Sequence, residues 1–386
     1  MVDGTHTLYG IAGSLYTGKV RAYLRKQGIP FTEVRAGDPS FTADVVPKVG
    51  RFIIPVVVTP DGTVLQDGTD ILDHFEQSPE RKASILPPGP VMQAISYLFE
   101  LFGGEGLLRP AMHYRWNFDE HNLAFLQANV FSDVLPSSKD PAQQKATFDY
   151  ASGRMRSAAT AFGVVPETYA KIEETYADFL ARFDAHLAEH HYLLGGRPTV
   201  GDYGLFNPLF AHLGRDPYPT TLMKEIAPRV FRWTEQMNAP EALHDHNITH
   251  TQNDMCADDD VPETLKHLMR YVRDEYLSEI TAHVAHANDW LAARPDIEPG
   301  TNGLDNPATR AIGTVEFEWR GIPLKTVVMP YRFYLLQRLT DHVAGCDADA
   351  QAAIGSLFKE TGLDTLLNLR TSRRVERKNH LEVWGA

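Results

Sequence analysis

Residues 53–58 have the sequence Ile-Ile-Pro-Val-Val-Val, which is too apolar to be anything but a buried β-strand. The proline at position 55 lacks the N–H group that a sheet requires, so it belongs at a strand end or at an edge. The turn sequence Pro60-Asp61-Gly62-Thr63 follows and joins this strand to Val64-Leu65 as a β-hairpin. A helix with one apolar side is expected next, over Asp67 to Glu76.

The residues before this hairpin predict a βαβ unit. Thr7-Leu8-Tyr9 is a short apolar strand, and Gly18 to Gln27 is a helix that Gly28-Ile29-Pro30 ends. Phe31-Thr32-Glu33-Val34 alternates as a second strand. The order is therefore βαβ, a connection, then ββα, which is the order of a thioredoxin-like α/β domain, here expected over residues 1–82.

The remainder of the chain is expected to be mainly helical. A linker rich in proline and glycine at residues 86–90 precedes an all-helical domain over residues 91–238, in which Thr168 to Glu189 forms a long amphipathic helix. Thr199-Val200-Gly201-Asp202 predicts a helix start of the capping-box type. Residues 239–386 predict an α+β C-terminal extension with a long helix, a hairpin and further helices. This extension could cap an active site, build a dimer or bind another protein.

The composition favours a soluble enzyme. A net charge of −13 over 386 residues argues against a nucleic-acid-binding protein, whose affinity depends on neutralising phosphates. No apolar run is long enough to span a membrane, and the N-terminus lacks the regions of a signal peptide, so a cytoplasmic location is expected. The two cysteines, Cys256 and Cys346, exclude a disulfide framework and a zinc site made of cysteines. Sulfur chemistry in the N-terminal domain must therefore use a thiol from outside.

Three local features resemble the glutathione transferases. Leu8-Tyr9-Gly10, followed by residues 14–21 with the sequence Ser-Leu-Tyr-Thr-Gly-Lys-Val-Arg, is similar to the family's first strand, active-site loop and first helix start. Ile54-Pro55 falls where the family keeps a cis-proline before its third strand. Residues 66–71, Gln-Asp-Gly-Thr-Asp-Ile, are similar to the segment that opens the family's third helix. Because these features occur in order and are followed by the capped helix at Thr199, residues 1–238 resemble this family.

The resemblance implies that glutathione is the co-substrate. An edge strand can bind an extended peptide by main-chain hydrogen bonds, here through Ile54, which a cis-Pro55 would expose. Asp67 would pair with the γ-glutamyl ammonium, and the helix start at Gly68 would bind the γ-glutamyl carboxylate. Arg51 could reach the glycyl carboxylate.

The resemblance also implies the catalytic residues. Ser14 occupies the position from which serine-type members donate a hydrogen bond to the glutathione thiolate, and Tyr16 in the same loop is the second candidate. Since cysteine-type members carry their nucleophile at this position, the serine favours transferase chemistry over disulfide exchange. Ser14 and Thr17 could instead be no more than helix N-caps, and Asp67 could be the cap of the following helix.

The expected function is that of a glutathione transferase, in which the thiolate attacks an apolar electrophile by conjugation, displacement, or ether or epoxide opening. The family also implies a homodimer and a role in detoxification. The alternative is a transferase-like protein that binds glutathione or a partner without catalysis. Gly68 favours that alternative, because it replaces a usual serine and removes a hydroxyl that Thr69 could only partly supply. Ile53 is a further departure, at a position that is often basic in the family.

Two further segments have competing interpretations. Residues 112–118, Met-His-Tyr-Arg-Trp-Asn-Phe, could line an apolar substrate or simply pack a helix. His244, His246 and His250 have a spacing that can bind zinc, but the neighbouring asparagines and acids favour a solvated loop. No metal is therefore expected.

Overall fold

The computed structural model describes residues 4–131, 140–241 and 254–386. The chain divides into two compact units, each assembled from separate segments. Unit 1 contains Met1–Ile85, Pro110–Thr160 and Phe206–His246, and unit 2 contains Leu86–Arg109, Ala161–Leu205 and Asn247–Ala386. The thioredoxin-like part lies in unit 1, and the C-terminal extension lies in unit 2 apart from its first residues. The division into domains at 1–82, 91–238 and 239–386 stays a prediction.

The thioredoxin-like part contains a mixed sheet of the order β2-β1-β3-β4, in which β1 is parallel to β2 and antiparallel to β3. The predicted βαβ–ββα order is confirmed. Its elements are β1 His6–Gly10, α1 Leu15–Gln27, β2 Phe31–Arg35, a π-helical turn Phe41–Val45, α2 Val46–Val49, β3 Val56–Val58, β4 Val64–Gln66 and α3 Gly68–Glu76.

Two predicted boundaries in this part are wrong. The strand expected over residues 53–58 is regular only over Val56–Val58, because Pro55 has no N–H and stands at the strand end. The helix expected from Gly18 begins at Leu15, because the Ser14 side chain caps it three residues earlier. The end of α1 is as predicted: Gly28 adopts φ +69°, a left-handed conformation that glycine accepts without a steric penalty.

The helices that follow, in chain order, are α4 Pro90–Leu101, a π-helical turn Phe102–Gly106, α5 Leu108–Trp116, α6 Asp119–Leu126, a π-helical turn Gln127–Phe131, α7 Pro141–Ala161, α8 Pro166–His186, α9 Val200–Ala211, α10 Pro217–Ile226 and α11 Pro228–Asn238. At the start of α9, Asp202 reaches back to the residue before the helix, as the predicted capping box requires. It accepts hydrogen bonds from both the N–H and the hydroxyl of Thr199, at 2.8 and 2.9 Å. Acceptance of a helix-start N–H by the Thr199 hydroxyl stays a prediction.

The C-terminal extension contains the expected long helix, hairpin and further helices. Its elements are α12 Glu263–Val272, a π-helical turn Arg273–Leu277, α13 Ser278–Ala292, β5 Gly313–Trp319, β6 Ile322–Val328, α14 Tyr331–Gly345, α15 Ala348–Glu360, α16 Asp364–Asn368, β7 Val375–Lys378 and β8 Leu381–Trp384. Arg320 and Gly321 join β5 to β6 with φ of +49° and +80°, the positive pair that a two-residue hairpin turn favours.

Buried ion pairs connect the extension to the helical segments of unit 2. Arg332 donates to Glu279 at 2.7 Å and to Glu105 at 3.1 Å, and Arg109 donates to Glu279 at 2.6 Å. All four side chains are almost completely buried. The two arginines hold the pKa of Glu279 at about 2 against the opposing effect of burial. Since an unpaired buried charge is costly, the helical segments and the extension depend on each other's side chains.

Gly103 gives a test of packing in unit 2. A Cβ atom at Gly103 would lie 2.3 Å from the backbone at Gly204 and Leu205, so α9 approaches this turn without room for a side chain. We expect Gly103→Ala to destabilise the protein by about 1–3 kcal/mol, measured by denaturant unfolding.

The matched control is Gly355→Ala in α15, where no atom lies within 4 Å of the added Cβ. This substitution should stabilise the protein by about 0.5–1 kcal/mol, because alanine is the better helix former. Equal effects of the two substitutions would contradict the close approach at Gly103.

Candidate functional site

Ser14 lies in the loop between β1 and α1 and is the N-cap of α1. Its backbone is extended, with φ −85° and ψ 130°, and its Oγ accepts a hydrogen bond from the Thr17 N–H at 3.3 Å. The side chain is half-buried. A hydroxyl has one donor and two acceptor positions, and the cap uses an acceptor. The capping role that the sequence predicted therefore leaves the O–H able to donate to a thiolate.

The loop before Ser14 is packed without space for additional side chains. A Cβ atom at Gly10 would lie 2.2 Å from Thr17 Cγ2, and one at Gly13 would lie 2.7 Å from Val130 Cγ2. Thr17 is completely buried. The alternative that Thr17 is structural is therefore consistent with its packing against Gly10.

Two buried arginines hold the carbonyl groups of this loop. Arg115 Nη1 donates to the Gly13 carbonyl at 2.9 Å, and Arg21 Nη2 donates to the Ile11 carbonyl at 3.3 Å. Asp216 fixes Arg115 through two hydrogen bonds of 2.7 and 2.9 Å. Burial raises the pKa of the Asp216 carboxyl above its usual value, and the Arg115 charge opposes that effect.

Sequence reasoning missed Arg115, although it stands inside the aromatic segment at residues 112–118. The signal was a single arginine in an apolar helix. Around it, the Phe118 ring stacks on Tyr114 at 5.5 Å and on Tyr218 at 4.0 Å, between ring centroids. These contacts are helix packing within unit 1, and a role in lining an electrophile site stays a prediction.

The Ile54–Pro55 peptide bond is cis, as the resemblance implies. However, β3 pairs with β1 on one side and with β4 on the other, so it is an inner strand and the expectation of an edge strand is wrong. Ile54 precedes the first paired residue, Val56. Peptide binding through the Ile54 backbone stays a prediction.

Asp67 and Gly68 form the start of α3. Asp67 is the N-cap, and its Oδ1 accepts a hydrogen bond from the Thr69 N–H at 2.9 Å. Its φ of +90° is unusual for a residue with a Cβ, and such conformations occur preferentially at ligand sites. A Cβ at Gly68 would lie 3.7 Å from the Tyr16 carbonyl oxygen, so the backbone that follows Ser14 lies beside this helix start.

Lys19 is the second residue that sequence reasoning missed. It is 3% exposed, and its Nζ donates to Thr69 Oγ1, itself 1% exposed, at 3.1 Å. Lys19 Cδ would lie 3.5 Å from a Cβ at Gly68. A buried cation therefore lies at the N-terminus of α3, where the helix dipole already favours an anion.

The remaining predicted residues are less closely connected to this site. Arg51 follows α2 and is half-buried, and Tyr16 is half-buried in the first turn of α1.

His244, His246 and His250 lie outside the described residues. Within residues 4–131, 140–241 and 254–386, no group of three or more histidine, cysteine, aspartate or glutamate side chains could hold a metal ion. The helices in those same ranges include none that is long and apolar enough to cross a membrane.

The chain has a thioredoxin-like part followed by helices, and the candidate site residues Ser14 and Asp67 lie at the starts of α1 and α3. Residues 8–83 match the family model "Glutathione S-transferase, N-terminal domain", and residues 166–236 match "Glutathione S-transferase, C-terminal domain". Two segments of the chain therefore match the domain models of this family, and the residues after 236 lie outside both matches.

Several solved structures are similar to the chain at low identity. Beta-etherase LigF from Sphingobium sp. strain SYK-6 has a TM-score of 0.42 and 20% identity, over 61% of this chain and 95% of that chain. Glutathione transferase GSTFuA3 from Phanerochaete chrysosporium has a TM-score of 0.42 and 16% identity, over 62% and 98%. CsGST63524 of Ceriporiopsis subvermispora, solved in complex with glutathione, has a TM-score of 0.40 and 16% identity, over 62% and 99%. A search of curated proteins gives no match.

The Arg115–Asp216 pair gives a prediction for stability. We expect Arg115→Met to destabilise the protein by about 3–5 kcal/mol, because it leaves the Asp216 carboxylate buried without its partner. Denaturant unfolding monitored by circular dichroism measures this loss.

The control is the double variant Arg115→Met with Asp216→Leu, which removes both charges and should recover most of the lost stability. An Arg115→Met variant as stable as the unmodified protein would show that the pair does not hold this loop.

Proposed function

We propose that this protein is a glutathione-dependent transferase or lyase in which Ser14 stabilises the bound thiolate. The observation that carries the proposal is the position of the Ser14 hydroxyl, which is half-buried at the start of α1. The helix cap uses the hydroxyl oxygen as an acceptor, so it does not require the O–H as a donor. The reaction is conjugation, displacement, or opening of an ether or epoxide. In each case the glutathione sulfur forms the new bond to carbon. The electron pair goes to the released group in a displacement or ether cleavage, to the ring oxygen in an epoxide opening, and to the acceptor atom of an activated double bond in a conjugation by addition.

The expected electrostatic contributions are large enough to ionise the bound glutathione thiol at neutral pH. A free thiol has a pKa of about 8.5, so only a few per cent is ionised at neutral pH. The N-terminus of α1 contributes about 0.3–2 kcal/mol to a nearby anion, and a hydroxyl donor contributes about 1–3 kcal/mol. Together these effects lower the thiol pKa by about 1–3.7 pH units, to about 4.8–7.5, so between about a quarter and nearly all of the bound thiol is ionised at neutral pH.

The proposed glutathione site uses the start of α3. Asp67 pairs with the γ-glutamyl ammonium, and the N-terminus of α3 at Gly68 accepts the γ-glutamyl carboxylate. Lys19 supports the same carboxylate, since its ammonium group lies beside this helix start. Ile54, next to the cis-Pro55, supplies backbone hydrogen bonds, and Arg51 binds the glycyl carboxylate. The electrophile, a homodimeric assembly and a cytoplasmic role in detoxification belong to the same proposal.

A Ser14 series tests the activated thiolate. With glutathione bound, thiolate absorbance titrated against pH should give a pKa well below 8.5, and Ser14→Ala should raise that pKa by about 1–2 pH units because the donor is lost. Turnover of a simple aryl halide should fall by about tenfold or more in the same variant.

Two further variants separate catalysis from helix capping. Ser14→Thr keeps both the cap and the donor and should keep the low pKa. Ser14→Asp keeps the cap but brings a negative charge, so it should preserve thermal stability while raising the thiol pKa. Glutathione that binds with an unshifted pKa in the unmodified protein would sink the transferase proposal and favour the non-catalytic binding protein.

Gly68→Ser tests the γ-glutamyl subsite. The nearest atoms to an added Cβ are Lys19 Cδ at 3.5 Å, the Tyr16 carbonyl oxygen at 3.7 Å and Val20 Cγ2 at 3.9 Å, so the Cβ makes only ordinary contacts. We expect glutathione to bind about tenfold more tightly by isothermal titration calorimetry, because the hydroxyl adds a hydrogen bond to a carboxylate.

Gly68→Ala is the matched control, since it adds the same Cβ without the hydroxyl. Its affinity should stay close to that of the unmodified protein. Tighter binding by both variants alike would mean that the Cβ, and not a hydroxyl–carboxylate bond, causes the change.

A further inference from the structure

Unit 1 contains a cavity of about 370 Å³. Its lining includes Gly10, the last residue of β1, and the residues Ile11 and Ala12 of the loop that precedes Ser14. Its charged and aromatic lining consists of Arg21, Arg25, Arg35, Arg215, Glu33 and Phe210. None of Ser14, Tyr16, Arg51 and Asp67 lines it, so it is separate from the proposed thiol site.

Glu33 is the one carboxylate among the lining residues, and it is paired with Arg21. Glu33 accepts two hydrogen bonds from Arg21, at 2.6 Å from Nε and 2.5 Å from Nη2. This bidentate pair is the strong geometry for an arginine and a carboxylate. Glu33 therefore neutralises Arg21, and the lining as a whole keeps a positive formal charge, with four arginines to one glutamate.

The other three arginines of the lining, Arg25, Arg35 and Arg215, have different surroundings. Arg25 donates from Nη1 to the Asn238 carbonyl at 3.1 Å and to the Asn238 side-chain oxygen at 2.8 Å. Burial lowers the pKa of Arg25, and the neighbouring Arg21 charge lowers it further. Arg35 is exposed at the end of β2, and the Arg215 guanidinium lies 5.8 Å from the centre of the Phe210 ring.

Such a concentration of arginine is unusual for this chain. The protein has 37 basic and 50 acidic residues, yet a single cavity is lined by four arginines and one glutamate. A cleft lined by charges of one sign focuses the electric field and concentrates ligands of the opposite charge. The planar guanidinium group matches the oxygens of phosphate and carboxylate, and it binds them by paired hydrogen bonds.

We propose that this cavity binds a small polyanion of the pyrophosphate or phosphate-ester type. The phosphoryl oxygens lie among Arg25, Arg35 and Arg215, and the Phe210 ring and the Ile11 side chain give an apolar wall for an organic substituent. The volume of the cavity suits a small molecule, since ligand pockets typically begin at about 300 Å³. Neither the thiol chemistry nor glutathione binding requires this site.

Isothermal titration calorimetry with inorganic pyrophosphate tests the proposal on the full chain. We expect binding of one pyrophosphate per chain, and Arg25→Gln and Arg35→Gln should each weaken it by about tenfold because each removes a charge-assisted hydrogen bond. Arg35 is exposed, so its substitution leaves folding intact even if Arg25→Gln does not. The matched control is Arg229→Gln in α11, which removes the same charge from an exposed position of unit 1 outside the cavity.

Three outcomes would overturn the proposal, and additive binding with glutathione would support it. Absence of binding to the unmodified protein rejects the site directly. Equal weakening by Arg229→Gln and Arg35→Gln shows a general charge effect. Displacement of pyrophosphate by excess glutathione, in one-to-one competition, places the anion in the glutathione site, whereas additive binding of both ligands supports separate sites. Because pyrophosphate binding does not depend on Ser14, failure here leaves the transferase proposal unaffected, and the converse also holds.

Discussion

The buried guanidinium group of Arg115 fixes the loop on which both proposed sites of unit 1 depend. It donates to the Gly13 carbonyl immediately before Ser14, and Asp216 holds it in place from a position 101 residues further along the chain. Arg21 holds the Ile11 carbonyl of the same loop. In the proposed mechanism, a loop backbone held at these two points positions the Ser14 hydroxyl at the start of α1. Preorganised donors of this kind stabilise charge without reorganising during the reaction.

In unit 2, the buried ion pairs give the C-terminal extension a structural role that none of the three sequence-based suggestions included. Glu105 and Arg109 come from the helical segments, whereas Glu279 and Arg332 come from the extension, and these charges neutralise one another. Asp258 also accepts hydrogen bonds from the Val91 and Met92 N–H groups and so caps α4. A chain that ended before the extension would leave these buried groups without partners, which is more costly than losing an ordinary surface contact.

Local patterns in the sequence predicted local structure well. The hairpin expected in the C-terminal extension is formed by β5 and β6, where alternating side chains flank a turn that contains glycine. The order of the thioredoxin-like elements followed from the same kind of signal, and the cis-proline followed from family resemblance. Long-range polar contacts were not predictable in this way. The Arg115–Asp216 pair, the burial of Lys19 against Thr69 and the inner position of β3 join residues far apart in sequence, so they leave no periodic pattern.

These long-range contacts also bear on the departure at Gly68. In the proposed function, glutathione places two anionic groups near two helix N-termini, the thiolate at α1 and the γ-glutamyl carboxylate at α3. The two helix starts lie side by side, since Tyr16 and Gly68 are close in space. Lys19 belongs to α1, but its ammonium group donates a hydrogen bond to Thr69 in α3. The ammonium group therefore lies near Gly68, where the chain has no serine hydroxyl. A buried ammonium group attracts a carboxylate more strongly than a neutral hydroxyl does. The missing serine therefore does not by itself argue for a protein that has lost glutathione chemistry, because the chain supplies a different group at the same helix start.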